Sequence, residues 1–341
     1  MFKAPNFKPS VDLPDLSGKV IVVTGANTGI GYTTVRNLAH KGAKVYLGSR
    51  SEQKGKLAIQ QLEAEGIIAG QVVWLECDIG TPALATAAAE RFQGLEDRLD
   101  VLTTNNISPD KSTYDEADKP AHDGITQMMM TNHIGTFQFT QALLPLLKKT
   151  SELPGSDVRI ITVASSSHID VPRARDPKLD FSTLDSFKEA YARDMFSFMS
   201  RYSTMFFLRP LASITHSKTS GISKLANILF SSALQKRVPA NIICIFLHAG
   251  TVKSTFASDY RYYGILNFLM GLVGLTADQG SFTSCFAAAS TQVRKNAEKY
   301  QGKYLVPFGE LGETSTNAKR VDLEEQLWTT TEKYIEGYNL D

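Results

Sequence analysis

The sequence predicts an α/β fold in which helices cover both faces of a parallel β-sheet. Two observations predict it. Short runs of β-branched and apolar residues alternate with longer helical stretches along most of the 341 residues. A glycine-rich turn joins the first of these runs to the first helical stretch. Neither an internal repeat nor a low-complexity linker interrupts the alternation, and the length permits a large core in one domain or two.

Six apolar runs have the length and composition of buried strands. These are Val20–Thr24, Lys44–Gly48, Val72–Glu76, Val101–Thr104, Arg159–Ala164 and Ile242–His248. Helices are predicted between them, notably from the glycine-rich turn to about Lys41 and over Glu52–Ala64, Gly124–Leu147 and Ser223–Gln235. Ligands of such sheets bind beyond the carboxyl ends of the strands, so the functional residues are expected there.

The amino-acid composition indicates which kinds of binding partner and which cellular compartment to expect. A net charge of +1 leaves no basic footprint for nucleic acid, and 43% hydrophobic residues is ordinary for a soluble globular protein. The three cysteines lie far apart without metal-ligand spacing, which indicates a reducing compartment and no metal site. The N-terminus lacks the apolar region of a signal peptide, and the longest apolar stretch, Tyr262 to Leu275, is too short for a bilayer span of about 20 residues. We therefore expect a cytoplasmic protein without a transmembrane segment.

Two long apolar segments depart from the alternation, residues 168–216 and 254–275. The first contains Met195–Met199 and Met205–Leu208, which are rich in methionine and aromatic residues. Insertions of this length in a compact domain are usually functional or disordered, and the apolar content argues against disorder. Two interpretations stand about equally: additional core or a dimer face, and a pair of lids over an apolar substrate.

The glycine-rich turn, Gly25–Gly31 with the sequence GANTGIG, has the pattern of a dinucleotide cradle. It follows an apolar strand and opens a helix, and this context makes the pattern informative. Glycines let the backbone turn tightly and approach a pyrophosphate, which rests on the positively polarised N-terminus of the helix. The residues predicted to contact the cofactor here are Gly25, Asn27, Gly29, Ile30 and Gly31.

Arg50 and Asp78 follow the second and third predicted strands and are expected near the adenosine half of the cofactor. An acidic residue after the second strand would bind a ribose 2′-hydroxyl, whereas an arginine suits a 2′-phosphate by charge and by its fork geometry. The sequence therefore favours NADP(H) over NAD(H), with a plain surface arginine as the alternative. Asp78 is placed either to hydrogen-bond the adenine or to cap the helix that follows.

Taken in order, these motifs resemble the short-chain dehydrogenases/reductases, and within them the retinol-dehydrogenase-like and WW-domain-oxidoreductase-like branch. The resemblance covers about residues 17–340 and rests on TGANTGIG, the Cys77-Asp78 step, TNHIGTF, RIITVAS, SKLANILF and LTADQGS. It implies a Rossmann-like doubly wound sheet of about seven parallel strands. It also implies a single NADP(H)-binding domain over residues 17–341 behind an N-terminal arm of residues 1–16, in a homodimer or homotetramer.

In this family an asparagine, a serine, a tyrosine and a lysine form the catalytic tetrad. By the resemblance, Asn132 matches the asparagine that holds a water, and Ser165 matches the serine that hydrogen-bonds the substrate carbonyl, with Ser166 as the alternative. Lys224 matches the lysine that grips the nicotinamide ribose and lowers the pKa of the tyrosine. The tyrosine position itself falls on Ser220.

Two further segments that line the cofactor in the family depart from its pattern. Asn-Asn-Ala-Gly reads Thr104-Asn105-Asn106-Ile107 here, and His-Pro-Gly reads His248-Ala249-Gly250. These joint departures favour natural drift of the site over an engineered Ser220, and they are compatible with a shifted nicotinamide pocket. The resemblance still assigns cofactor contacts to Ile79, Asn105, Gly250, Val252 and Ser254.

A serine in place of the tyrosine weakens proton donation. The alkoxide left by hydride transfer must take a proton, and a serine hydroxyl is a far weaker acid than a phenol with a pKa of about 10. A positioned general acid contributes ~10²–10⁴ in rate. Substitute donors would be Tyr191, Tyr202, His168 or a water held by Ser220 and Lys224. The two tyrosines and the histidine are explained equally well by roles in packing or in structural hydrogen bonds as by a role in proton donation.

Three hypotheses about function follow from the sequence. The first is an NADP(H)-dependent oxidoreductase that acts on a hydrophobic small molecule with an atypical proton donor, in a setting such as secondary-metabolite tailoring. The second is a non-redox enzyme, a cyclase, isomerase or dehydratase that keeps the cofactor site. The third is a catalytically inactive cofactor-binding protein. The first is preferred because Asn132, Ser165 and Lys224 remain, and the second stands only slightly behind it.

Overall fold

The computed structural model describes residues 6–105, 120–170, 179–188, 220–252 and 274–338, with Asp170 and Ser220 described through their backbones alone. These residues contain an eight-stranded sheet of order β3-β2-β1-β4-β5-β6-β7-β8. Strands β1 to β7 run parallel, and β8 pairs antiparallel with β7. The strands are β1 Val20–Val23, β2 Lys44–Ser49, β3 Val72–Glu76, β4 Val101–Thr104, β5 Val158–Val163, β6 Ile242–Leu247, β7 Lys303–Val306 and β8 Glu310–Leu311.

Helices cover both faces of this sheet, so the predicted doubly wound α/β fold is confirmed. The α-helices are α1 Pro9–Asp12, α2 Gly29–Ala39, α3 Glu52–Ala64, α4 Pro82–Gln93, α5 Gln127–Met129, α6 Thr136–Ser151, α7 Asp185–Lys188, α8 Ser220–Gln235, α9 Ala277–Ala289, α10 Thr291–Lys295, α11 Ala297–Tyr300 and α12 Val321–Gly337. A π-helical segment, Met130–Gly135, joins α5 to α6, and short 3₁₀ turns form at Ser166–Asp170 and Asn317–Lys319. In the described part of the chain, no helix is both long and apolar enough to cross a bilayer.

The sheet separates two apolar layers. Alternate residues of β1 point to opposite faces, so Val22 packs in one layer and Ile21 in the other. The first layer is formed with α4, α6, α8 and α12, and the second with α2, α3 and α9. The N-terminal residues join the second layer, where the ring of Phe7 meets that of Phe286 edge-on at 5.2 Å. Burial on both faces explains why the parallel strands read as continuous apolar runs.

The predicted single helix over Gly124–Leu147 is wrong. Asp123 and Gly124 have positive φ angles of 55° and 76°, so the chain turns there, and helical structure begins only at Gln127. It then passes through the π-helical segment before α6 begins. Gly135, at the end of that segment, lies so close to the carbonyl oxygen of Ile79 that a Cβ would be 1.8 Å from it. A π-helical turn closes over one residue more than an α-helical turn, and the spacing of apolar residues in the sequence does not reveal that difference.

The described parts of the two long apolar segments, residues 168–216 and 254–275, pack in the core or at its edge. Phe181 and Phe187 are fully buried in the layer that contains α8 and α12. The backbone amide of Phe181 donates to the side chain of Gln326 on α12 at 3.1 Å. Val252 pairs with Leu275 in a parallel bridge that closes the base of the second segment. The other residues of both segments, among them Tyr191, Tyr202 and Ser254, lie outside the described residues, and both interpretations stay predictions.

Candidate active site

The glycine-rich turn lies between the end of β1 and the start of α2. Gly25 and Gly29 have positive φ angles of 57° and 60°. A Cβ on Gly25 would lie 2.2 Å from the backbone oxygen of Asn105, and one on Gly31 would lie 2.4 Å from the backbone oxygen of Gly25. Thr28, the N-cap of α2, makes no side-chain bond to the first amides of the helix. The turn therefore offers the close backbone approach and the helix N-terminus that a pyrophosphate requires.

Asn105 and Gly48 hold this turn against the neighbouring strands. The buried Asn105 directly follows β4, and its side-chain amide donates to the backbone oxygen of Gly25 at 3.3 Å. Its backbone amide donates to the Thr24 hydroxyl at 3.0 Å. On the other side, the amide of Ala26 donates to the backbone oxygen of Gly48 at 3.0 Å. The turn is thus held in place by β2 and β4, which its own sequence does not reveal.

The predicted adenosine contacts lie beyond β2 and β3. Arg50 directly follows β2 and is exposed. Asp78 is half-buried, and its carboxylate accepts the amide of Gly80 at 2.8 Å. The alternative role of Asp78 as a helix cap is wrong, because α4 begins at Pro82 and the Thr81 hydroxyl caps it. Ile79 is buried, with its carbonyl oxygen against the π-helical segment.

Asn132 and Lys224 are brought together through Ser223. Asn132 is buried in the π-helical segment, and its side-chain amide donates to the Ser223 hydroxyl at 3.2 Å. Ser223 is fully buried on α8, one residue before Lys224. Ser223 was not among the predicted site residues. Its position within SKLANILF was the available signal, but only the fold shows which element it faces.

Lys224 reaches the end of β5. Its ammonium donates to the backbone oxygen of Val163 at 3.2 Å, which places it beside the turn that carries Ser165. Burial lowers the pKa of Lys224 to about 8, because a charged ammonium is poorly solvated in this position. Ser220 begins α8 one helical turn earlier.

Ser165 lies between β5 and the 3₁₀ turn, and its hydroxyl accepts the amide of Ser167 at 3.2 Å. Its backbone oxygen accepts Nδ1–H of His168 at 2.6 Å, while Nε2 of the same ring accepts the amide of Ser315 at 3.2 Å. These bonds assign the proton to Nδ1. His168 is fully buried with both ring nitrogens bound to backbone, so its geometry fits a structural role rather than proton donation. Ser166 is the first residue of the 3₁₀ turn.

The segment after β6 forms the opposite side of the site. Gly250 has a φ of 90° and lies against Leu275. A Cβ on Gly280 of α9 would lie 2.6 Å from Val252 and 3.3 Å from Ile30, so both apolar side chains flank this glycine. The structure therefore brings Val252 next to the cradle, although 222 residues separate Val252 from Ile30 (252 − 30).

These positions converge on the carboxyl ends of β1 to β6, where ligands of open α/β sheets bind. The described residues fit a dinucleotide: a glycine-rich turn with open space at Gly29 for the pyrophosphate, an exposed arginine beyond β2, and a lysine on α8 whose ammonium reaches the end of β5. Two cavities of about 450 and 600 Å³ lie elsewhere, one beside His122 and Tyr334 and one beside Gln93 and Pro145. Neither is lined by a predicted site residue.

Comparison with known proteins identifies the family. The sequence pattern of the short chain dehydrogenase family matches residues 19–174. A short-chain dehydrogenase/reductase of Armillaria gallica is 35% identical over 334 residues, which covers 96% of this chain and 96% of that protein. The short chain dehydrogenase/reductase dpchH of Colletotrichum higginsianum is 37% identical over 333 residues, which covers 96% of this chain and 77% of its own. The NADPH-bound carbonyl reductase from chicken fatty liver has a TM-score of 0.59 at 19% identity, covering 92% of this chain and 100% of its own.

The chain therefore belongs to the short-chain dehydrogenase/reductase family, as its motifs predicted. Its relatives are oxidoreductases, and the fold implies a nicotinamide cofactor. The likeness to the carbonyl reductase supports the fold alone. The role of Ser220 and the individual site residues stay predictions.

Proposed function

We propose that the protein is an NADP(H)-dependent oxidoreductase that interconverts a carbonyl and an alcohol on a hydrophobic small molecule in the cytoplasm. The glycine cradle carries the proposal. Gly25 and Gly31 pack so closely against the backbone of Asn105 and of the turn itself that neither position has room for a side chain. A Cβ on Gly29 would meet nothing within 4 Å, so the N-terminus of α2 has open space in which a pyrophosphate could lie. The exposed Arg50 after β2 supports the phosphorylated cofactor.

A bound nicotinamide would supply or accept the hydride. The residues of the chain would orient the substrate and manage its proton. In this proposal Ser165 donates its hydroxyl to the substrate oxygen, and Lys224 stabilises the negative charge that develops there. With a pKa of about 8, the Lys224 ammonium is mostly charged at neutral pH and holds the water that delivers the proton. Asn132, through Ser223, holds the π-helical segment against α8.

Substitution of Ser220 tests the proton-donor part of this proposal. Ser220→Tyr returns a phenol to the first turn of α8, four residues before Lys224. Turnover of a panel of aromatic and aliphatic ketones with NADPH should rise by ~10²–10⁴, the contribution of a positioned general acid. Ser220→Phe is the matched control, because it adds the ring without the hydroxyl. An equal gain with phenylalanine would show that the ring fills space and that a missing acid was not the defect.

The serine at position 220 also favours a second candidate, a non-redox cyclase, isomerase or dehydratase. An isotope experiment separates the two. NADPH carrying deuterium at the transferable C4 position should pass its label to the product of a redox reaction. An unlabelled product with full recovery of the labelled cofactor would instead support the non-redox enzyme. Tight NADPH binding without any product would support the catalytically inactive protein.

A further inference from the structure

A chain of hydrogen bonds surrounds Arg50 without including its side chain. The indole N–H of Trp74, on β3, donates to the Ser49 hydroxyl at 3.1 Å. That hydroxyl donates in turn to the backbone oxygen of Ser51 at 3.2 Å. Ser49 is only 4% exposed, so these bonds form away from water. Trp74 on one strand is thereby connected to both neighbours of Arg50.

Both neighbours of Arg50 are also held by the surrounding backbone. The backbone oxygen of Ser49 accepts the amide of Cys77 at 3.2 Å, which extends the pairing of β2 with β3 to its last residue. Ser51 caps α3, since its hydroxyl accepts the amide of Lys54 at 3.3 Å. Its backbone oxygen accepts the amide of Gly55 at 2.9 Å. The backbone of Arg50 therefore has little freedom, while its side chain extends into solvent.

Gly55 makes the approach of Trp74 to Ser49 sterically feasible. Glycine within a helix costs roughly 1 kcal/mol relative to alanine, yet one occupies the second turn of α3. A Cβ there would lie 2.3 Å from Cδ1 of Trp74 and 2.9 Å from the Ser49 hydroxyl. The indole and the hydroxyl can therefore meet only because this position lacks a side chain.

Two acidic residues, one close to Arg50 in the sequence and one at the end of the neighbouring strand, are paired with cations. Glu52, in the first turn of α3, pairs with Lys56 at 2.6 Å, and Glu76, at the end of β3, pairs with Arg91 at 3.2 Å. These pairs are partly exposed and individually weak. Paired in this way, the two carboxylates oppose an anion beside Arg50 less than free carboxylates would.

We propose that Trp74 and Ser49 are positioning residues that aim the Arg50 guanidinium at the 2′-phosphate of NADP(H), and so determine which nicotinamide cofactor binds. This inference rests on the proposed cofactor preference. Its signature is a change in cofactor selectivity, defined as the Kd for NADH divided by the Kd for NADPH. A purely structural role would weaken the binding of both cofactors equally and leave that ratio unchanged.

The test is calorimetric titration of the full chain with NADPH and with NADH. Trp74→Phe keeps an aromatic ring but removes the indole donor, and the selectivity should fall about 3- to 10-fold, the loss of one buried hydrogen bond. Ser49→Ala should lower it at least as much. Arg50→Gln should lower it about 10- to 100-fold, because a charge-assisted contact is lost. Trp328→Phe, at the other tryptophan of the chain, is the matched control and should leave the selectivity unchanged.

The outcomes separate the inference from the function on which it rests. A wild-type chain without preference for NADPH, or an Arg50→Gln variant with unchanged selectivity, would overturn the proposed cofactor and this inference with it. Loss of selectivity in Arg50→Gln alone, with Trp74→Phe and Ser49→Ala both unchanged, would overturn only the positioning role. If Trp74→Phe does not fold, as judged by circular dichroism, Ser49→Ala decides the question.

Discussion

His133 is the buried neighbour of Asn132 in the π-helical segment, and it makes a testable contribution to stability. Its Nε2–H donates to the Thr331 hydroxyl on α12 at 2.7 Å, and that hydroxyl donates to the backbone oxygen of Leu327 at 2.7 Å. Three phenylalanine rings approach the imidazole at 5.9 to 6.2 Å. Burial lowers the pKa of His133 from 6.5 to about 3, because the charged ring would lose its hydration there.

The direction of the pH effect follows from this lowered pKa. As the pH falls below about 6.5, the unfolded chain takes up a proton at His133 that the folded chain does not, so the free energy of unfolding decreases. The decrease begins near the unfolded pKa and ends near the folded one. Each pH unit between them is worth about 1.4 kcal/mol, which gives about 2 kcal/mol at pH 5 relative to pH 7.

The assay is urea unfolding followed by circular dichroism at pH 7 and pH 5. His133→Leu keeps an apolar side chain of similar size but removes the titrating group. The wild-type chain should lose about 2 kcal/mol more between the two pH values than this variant. His40→Leu, at an exposed histidine, is the control and should follow the wild-type curve. An equal pH dependence for the wild-type chain and His133→Leu would refute the reasoning.

Two further predictions concern the cradle and the catalytic helix. Gly31→Ala would place a Cβ 2.4 Å from the backbone oxygen of Gly25 and 2.8 Å from the Cα of Ala26. The affinity for NADPH, measured by calorimetry, should therefore fall at least ~100-fold, about 3 kcal/mol. Gly337→Ala is the control and should have no effect, because a Cβ there meets no other atom within 4 Å. Unchanged binding in Gly31→Ala would contradict the assigned cradle. Ser223→Ala leaves the buried amide of Asn132 without its acceptor and should cost about 1–3 kcal/mol in urea unfolding, with Ser223→Thr closer to wild type because it keeps the hydroxyl. Equal stability of the alanine and wild-type chains would show that the Asn132 bond contributes nothing.

Local patterns predicted much of the sheet. β3 and β4 were predicted with their observed ends, and β1, β2, β5 and β6 to within one residue, because strands buried on both faces are short apolar runs with clear borders. α2 was predicted to reach about Lys41 and ends at Ala39, and α8 begins three residues earlier than predicted. The elements that were not predicted include β7, β8, α9 and α12. The first two are short, and the last lies beyond the motifs that guided the predictions.

The features that the sequence predicted wrongly or not at all have physical causes, and for the π-helical segment the cause is contact between distant segments of the chain. Asp78 was a reasonable helix cap by residue type, but Pro82 sets the start of α4 and gives that role to Thr81. The π-helical segment depends on Ile79 at one end and on Ser223 at its centre, which lie far from it in the sequence. Contacts of this kind cannot be inferred from spacing, since neither partner constrains the identity of its sequence neighbours.

The sequence by itself determined the alternation of strands and helices, the glycine cradle and the family, because each depends on residues that are close along the chain. Only the tertiary structure decided that Asn132 binds Ser223, that His168 is occupied by two backbone groups, and that Trp74 binds the Ser49 hydroxyl beside Arg50. These pairings arise where strand ends and helix faces from distant segments meet. Burial there makes each polar contact consequential, because water is not available to replace a missing partner.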